Sequence, residues 1–146
     1  MHDHSQPGHQ EEKKYSSSLA GKNITKEHFI VGIGASAGGL EAINELFDNI
    51  VHGNGYSFVV IQHLSPNYKS LMDELLAKHT SMKIERAEEG MAILPDRVYL
   101  IPSGKNMTIR HGKLRLTDKP SNHTPNNAID IFLNLWPSIK KIRPLP

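Results

Sequence analysis

The chain has 146 residues, the size of a single domain, and its 17 Lys and Arg residues nearly balance its 15 Asp and Glu residues. This charge balance argues against nucleic acid as a partner, and the absence of Cys excludes disulfide bonds and thiolate metal sites. No apolar run approaches the roughly 18 residues of a membrane-spanning helix, and residues 1–21 lack the apolar core of a secretory signal. We therefore expect a cytoplasmic protein with no membrane insertion.

Composition divides the chain into three parts. Residues 1–27 are polar and rich in His, Ser, Glu and Lys, which predicts a disordered leader. No carboxylate or Cys spacing completes a metal site around the histidines of this leader, so we interpret them as solvated. Residues 28–136 carry the apolar segments of a folded domain, and residues 137–146 form an atypical basic, Pro-containing tail with no predicted fold.

Apolar runs and helical spacing predict alternating strands and helices. The predicted segments are a strand over 28–34, a helix over 38–50, a strand over 57–62, a helix opening at Ser65, and strands over 83–87 and 97–101. The predicted buried faces are Leu40, Ile43, Leu46, Phe47 and Ile50 on the first helix, and Leu71, Met72, Leu75 and Leu76 on the second. Such alternation predicts an α/β fold: a Rossmann-like parallel sheet with flanking helices.

The hydrophobic period changes after residue 105. Residues 106–110 and 113–117 alternate apolar and polar around His111 and Gly112, which predicts one β-hairpin that is exposed on one face. Residues 128–136 predict a last helix. Its apolar stripe is Ile129, Phe132, Leu133 and Trp136.

Ser36 is the first candidate for chemistry, because it lies in a Gly-Ala-Ser-Ala-Gly segment directly after an apolar run. A serine on a tight strand-to-helix turn presents its hydroxyl at the carboxyl end of a parallel sheet, and the glycines beside it tolerate unusual backbone angles. His63 ends the next apolar run, so adjacent parallel strands could bring a nucleophile and a general base together. The alternative is a glycine turn that lets the helix pack closely, with Ser36 as its N-cap.

The same stretch also fits a dinucleotide-binding loop, Gly32-x-Gly34-x-x-Ala37, whose amides would hold a pyrophosphate at a helix start. That fingerprint requires an acidic residue after the second strand to bind a ribose. Gln62 and His63 occupy the position, so the sequence disfavours nucleotide binding.

An orienting carboxylate for the imidazole has two candidates inside the chain, Asp96 and Asp130. Asp96 lies in a predicted turn, where it fits a capping role or a pair with Arg97. Asp130 lies in the last predicted helix, where a solvated or dipole-stabilising role fits better. Neither residue ends a predicted core strand.

Three motifs together resemble the catalytic domain of CheB-type protein-glutamate methylesterases. They are Gly-Ile-Gly-Ala-Ser-Ala-Gly-Gly-Leu-Glu-Ala over 32–42, Gln-His-Leu over 62–64, and Val-Tyr-Leu-Ile-Pro over 98–102 with the hairpin that follows. The resemblance runs from about residue 28 to residue 133.

The resemblance implies hydrolysis of glutamate γ-methyl esters on a methylated chemoreceptor or related signalling protein, with release of methanol. It implies that Ser36 is the nucleophile and His63 the base, and that backbone amides near Ala37 and Gly38 stabilise the oxyanion. It implies no metal and no organic cofactor.

Two departures from the family pattern qualify this expectation. Only the short polar leader stands before the first strand here, so we expect an arrangement similar to the start of a methylesterase–methyltransferase fusion or to a stand-alone domain. The family's catalytic aspartate follows the last predicted helix in an Asp-Gly-containing segment, and this chain has no Asp-Gly pair. We therefore predict a truncated domain without the carboxyl-terminal strands, and impaired activity, since losing such a carboxylate costs ~10⁴ in rate in serine proteases. The alternative is a catalytically inactive fragment that acts as a binding module or is a remnant.

Overall fold

The strand Ser57–Gln62 (β2) lies inside the sheet and is buried along its whole length. The computed structural model describes residues 28–62, 71–120 and 127–135. An unbroken apolar run such as Phe58 to Ile61 is typical of a strand that is covered on both faces. The predicted position of this strand is confirmed.

Four parallel strands form the main sheet, in the order β1-β2-β4-β3. The other three strands are Ile30–Ala35 (β1), Lys83–Arg86 (β3) and Arg97–Leu100 (β4). This arrangement confirms the predicted α/β class. The first strand differs from its prediction, because it begins at Ile30 rather than His28 and continues to Ala35.

Two helices cover one face of the sheet. A 3₁₀ turn over Ala37–Gly39 leads into Leu40–Asn49 (α1), and Met72–Leu76 (α2) follows β2. Their buried side chains form one core cluster with the sheet: Ile43, Phe47, Met72 and Leu76 against Phe58, Val60, Val98 and Leu100. No helix within the described ranges is long and apolar enough to span a membrane.

The opposite face is covered by the hairpin and the last helix. The hairpin consists of Lys105–Arg110 (β5) and Lys113–Asp118 (β6), and the helix is Ala128–Leu135 (α3). Their core side chains are Met107, Leu114, Ala128 and Phe132, which pack against Val59, Ile61 and Tyr99. Met107 and Leu114 are fully buried whereas Arg110 and Lys113 are exposed, so the predicted one-sided hairpin is confirmed.

Three leucines that were predicted to be buried are exposed instead. Leu46 is 42% exposed, Leu71 is 62% exposed and Leu133 is 51% exposed. Leu46 and Leu133 lie at the margin of the apolar stripe of their helices, and Leu71 directly precedes its helix. Trp136, the remaining member of the predicted stripe on α3, lies outside the described residues.

Tyr99 ties the segment before β4 to the sheet. Its side chain is fully buried, and its hydroxyl accepts a hydrogen bond from Leu94 N (2.8 Å) and donates one to Ala92 O (3.2 Å). Burial raises the pKa of this hydroxyl, which keeps its proton in place as a donor.

Removing the Tyr99 hydroxyl should destabilise the fold without changing its shape. We expect Tyr99→Phe to lower the free energy of unfolding by about 1–2 kcal/mol, because Leu94 N and Ala92 O lose their partner. Urea unfolding measures this loss. Tyr56→Phe is the control, since Tyr56 is 40% exposed. Equal stabilities for Tyr99→Phe and the parent chain would contradict the assigned role.

A carboxylate at the β3 edge is held between two cations. Glu85 Oε1 lies 2.5 Å from Lys83 Nζ and 2.6 Å from Arg97 Nη1, and the Glu85 side chain is only 18% exposed. The hydrogen bond from Lys83, with a further contribution from Arg97, lowers the pKa of Glu85 below its ordinary value of 4.5.

A lowered carboxyl pKa predicts stability that depends on pH. The contribution of Glu85 is present above pH 4.5 and is lost as pH falls through the lowered folded-state pKa. We expect Glu85→Gln to cost about 1 kcal/mol or less at pH 7 and nothing at a pH below that folded-state value. Urea unfolding across this range tests it, with the exposed Glu45→Gln as control. A cost that stays constant with pH would be inconsistent with an ionic contribution.

Candidate active site

Ser36 lies directly after β1, at the carboxyl end of the sheet. Its backbone is extended, with φ −81° and ψ 177°, and its carbonyl accepts a hydrogen bond from Gly39 N at 2.9 Å. Within the described part of the chain the Ser36 hydroxyl makes no hydrogen bond to the turn that follows, and the residue is exposed. Ser36 therefore occupies the N-cap position without performing the capping role, and its hydroxyl is left available.

The predicted partner, His63, lies outside the described residues. The structure does describe the strand that leads to it. β1 and β2 are adjacent and parallel, with Gly34 opposite Ile61 and Ala35 opposite Gln62. The predicted adjacency of the two strands that precede Ser36 and His63 is therefore confirmed as far as Gln62.

The glycines around Ser36 serve close packing rather than unusual backbone angles, which corrects the prediction. Gly32, Gly34 and Gly38 are not among the residues with positive φ within the described ranges. A Cβ atom on Gly34 would lie 2.6 Å from Ile129 Cγ2, and one on Gly32 would lie 2.7 Å from Phe132 Cε1. Both glycines thus let α3 lie directly on β1.

The helix that packs on these glycines is α3 and not the helix that follows Ser36. α3 runs opposite to β1, because its early residue Ile129 meets Gly34 while its later residue Phe132 meets Gly32. Its first turn therefore approaches the end of the strand that carries Ser36. The glycine-turn alternative is correct about close packing, which Gly39 provides for the helix that follows Ser36, but it omits the contact of α3 with Gly32 and Gly34.

The proposed oxyanion residues Ala37 and Gly38 belong to the 3₁₀ turn. Gly38 is exposed, and a Cβ atom there would meet nothing within 4 Å. Gly39 is more confined, because its Cβ atom would lie 2.8 Å from Ala35 Cβ. Within this turn, the backbone at Gly38 thus borders open space, whereas the backbone at Gly39 packs on β1.

Asp96 lies at the wrong end of the sheet to orient an imidazole near Ser36. It directly precedes β4, and its Oδ1 accepts a hydrogen bond from Gly55 N at 2.9 Å. Since all four strands are parallel, the start of β4 lies at the amino end of the sheet and the end of β1 lies at its carboxyl end. The predicted pair with Arg97 is also wrong, because Arg97 binds Glu85.

Asp130 lies in the first turn of α3 with an exposed side chain. The neighbouring Ile129, and not Asp130, is directed at β1. Neither sequence-predicted carboxylate makes a hydrogen bond to Ser36 within the described part of the chain. The described residues also contain no group of three His, Cys, Asp or Glu side chains that could hold a metal ion.

No role was predicted for the side chain of Gln62, although the structure buries this polar amide. Gln62 is only 7% exposed, and its Oε1 has no hydrogen-bond partner among the described residues. The signal in the sequence is a polar residue at the end of an otherwise apolar buried strand.

Comparison with known proteins shows the family and the fold of the chain. The family model described as CheB methylesterase matches residues 31–140. A protein-glutamate methylesterase/protein-glutamine glutaminase 2 of Xanthomonas oryzae pv. oryzae is 34% identical over 107 residues, which cover 70% of this chain and 30% of that protein. A Shewanella protein of the same name is 36% identical over 111 residues, covering 72% of this chain and 31% of that protein.

A solved structure, the catalytic domain of Thermotoga maritima CheB methylesterase, has the same fold. It superposes with a TM-score of 0.61 at 24% identity, covering 74% of this chain and 59% of that domain. The chain spans about a third of the length of the curated relatives it matches. On the family match and these identities, the chain belongs to the CheB methylesterase family.

Proposed function

We propose that this chain carries the nucleophile and the general base of a protein-glutamate methylesterase. Ser36 Oγ forms a bond to the carbonyl carbon of a glutamate γ-methyl ester while its proton passes to the imidazole of His63. Methoxide leaves with that proton as methanol. Water then gives a proton to the same imidazole and attacks the acyl carbon; the bond to Ser36 Oγ breaks, the imidazole returns the proton to that oxygen, and the glutamate carboxylate leaves.

The observation that carries this proposal is the exposed Ser36 at the carboxyl end of β1, whose hydroxyl makes no cap hydrogen bond within the described residues. The register of β1 with β2 supports His63 as its partner, because Ala35 and Gln62, the residues directly before the two, lie opposite each other. Backbone N–H groups near Ala37 and Gly38 are suited to stabilise the oxyanion, since the first N–H groups of a helix have no intrahelical acceptor.

The substrate class follows from the family. The relatives are named for methylesterase activity on protein glutamate and glutaminase activity on protein glutamine. We infer that the partner is a methylated chemoreceptor or a related signalling protein, and that the ester-bearing side chain enters from the carboxyl edge of the sheet, where α/β folds bind ligands.

The second candidate is a catalytically inactive binding module. It is favoured by the positions of Asp96, at the opposite edge of the sheet, and Asp130, exposed on α3. Without an orienting carboxylate the imidazole is neither held in its productive tautomer nor stabilised when charged, which lowers the rate in serine hydrolases by ~10⁴.

A fluorophosphonate probe separates the two candidates. We expect the folded chain to be labelled, mass spectrometry to locate the label on Ser36, and a methylated receptor to release methanol in the presence of the chain. A folded chain that is not labelled but still binds the receptor would favour the binding module. A label on another serine would contradict the assignment of the nucleophile.

A further inference from the structure

The amide of Gln62 is buried without a partner for its oxygen. The side chain is 7% exposed, and Oε1 makes no hydrogen bond within the described part of the chain. Where no donor reaches it, a buried carbonyl oxygen costs stability, because it has left water without gaining a protein partner. A group that costs stability next to reacting residues points to a use in the reaction.

The side chain of Gln62 lies on the α1 face of the sheet. Phe58 and Val60, which precede it at alternate positions of β2, both pack in the core cluster on that face. Ala35, the register partner of Gln62, packs against the same cluster. Gln62 and Ala35 are therefore neighbours on one face, about 4.8 Å apart in the direction between strands.

The turn after Ser36 lies directly over this pair. A Cβ atom on Gly39 would approach Ala35 Cβ to 2.8 Å, which places the Gly39 backbone against the Ala35 methyl group. Leu40, the first residue of α1, packs against the same cluster. The turn over Ala37–Gly39 therefore packs on the residue that the register places beside Gln62.

The first N–H groups of the turn over Ala37–Gly39 are potential hydrogen-bond donors. Helix-initial N–H groups lack intrahelical acceptors, and here Gly39 N is bonded to Ser36 O while the Ser36 hydroxyl caps nothing within the described residues. An acceptor with no donor among the described residues thus lies on a strand end that the register joins to the strand end carrying this turn.

We propose that Gln62 is a positioning residue for the reaction at Ser36. Its Oε1 accepts a hydrogen bond from one N–H of this turn during the reaction and so fixes the direction of the N–H groups that face the substrate oxygen. Preorganised donors of this kind stabilise a developing oxyanion. The inference rests on the proposed esterase function and deepens it by adding a residue that acts through the turn.

The test compares two substitutions at Gln62 with a matched control elsewhere. Gln62→Met keeps the shape of the side chain and removes the amide, whereas Gln62→Glu keeps an oxygen acceptor at the same reach. Asn106→Leu is the control, because Asn106 is also 7% exposed with an unpaired oxygen, but it lies in β5. The readouts are the thermal midpoint, the rate of fluorophosphonate labelling at Ser36, and kcat and KM for methanol release.

We expect Gln62→Met to melt at the same or a higher temperature than the parent chain and to be labelled about ten- to a hundredfold more slowly, with kcat reduced and KM unchanged. Asn106→Leu should also keep or raise the midpoint but be labelled at the parental rate. Gln62→Glu should be labelled within about fivefold of the parental rate, because the acceptor is retained.

Parental labelling in Gln62→Met would overturn the inference while leaving the esterase function intact. If Gln62→Met does not fold, Gln62→Asn replaces it, since this change withdraws the oxygen by one methylene, and parental labelling in Gln62→Asn would likewise overturn the inference. A parent chain that is folded but is not labelled at Ser36 would remove the proposed function and the role of Gln62 with it.

Discussion

Replacing Ser36 with alanine is expected to reduce methyl-ester hydrolysis by about fifty- to a hundredfold, because the predicted loss of the orienting carboxylate already lowers the parental rate. The reason is that the acyl-serine can form only at this hydroxyl. The fold should not change, because Ser36 is exposed and its hydroxyl makes no cap hydrogen bond within the described residues. Methanol release and thermal unfolding of the two chains measure both effects.

Ser103 provides a matched control for Ser36. It is exposed and follows β4, so it lies at the same carboxyl edge of the parallel sheet. Ser103→Ala should hydrolyse the ester at the parental rate. Retained activity in Ser36→Ala would show that the nucleophile lies elsewhere. Equal losses in the two variants would show that any substitution at this end of the sheet lowers activity, which would contradict a specific role of Ser36.

Gly34→Ala should be the most damaging single-methyl substitution near the site. The added Cβ atom would lie 2.6 Å from Ile129 Cγ2, well inside contact distance, and Cγ2 branches directly from the Ile129 Cβ and cannot swing away. Either α3 or β1 must move. We expect the free energy of unfolding to fall by about 1–3 kcal/mol, with the slope of the urea transition unchanged.

A double-mutant cycle identifies the cause of that loss. Ile129→Ala removes the colliding methyl group, so Gly34→Ala should be less costly in the Ile129→Ala background by about 0.5 kcal/mol or more. Gly38→Ala is the control, since nothing lies within 4 Å of its added Cβ atom, and it should change stability by no more than about 0.5 kcal/mol. Additive costs at Gly34 and Ile129 would mean that the two residues do not compete for space.

The spacing of apolar residues predicted the strands of the sheet well, because this spacing shows which side chains within a short segment are buried. The unbroken apolar run of β2 required cover on both faces, and the alternation of β5 and β6 required cover on one, and both expectations agree with the structure. The same reasoning failed at Leu46, Leu71 and Leu133, because a stripe of apolar residues does not show which of its members the rest of the fold covers.

The site was predictable only in part. The turn motif indicated Ser36, and the strands before Ser36 and His63 are indeed adjacent. Which helix uses the glycines, and the unpaired oxygen of Gln62, depend on contacts between residues far apart in the chain. No local pattern contains that information, because Gly34 and Ile129 meet only once the sheet and α3 are assembled.

The sequence by itself determined the alternation of strands and helices, the one-sided hairpin and the family motifs, since each depends on neighbours along the chain. Tertiary structure decided the strand order β1-β2-β4-β3 and the packing of α3 on Gly32 and Gly34. It also placed Asp96 and Ser36 at opposite ends of the parallel strands. The physical reason is that these features arise from long-range packing, in which close contact and register, rather than residue type, choose the partner.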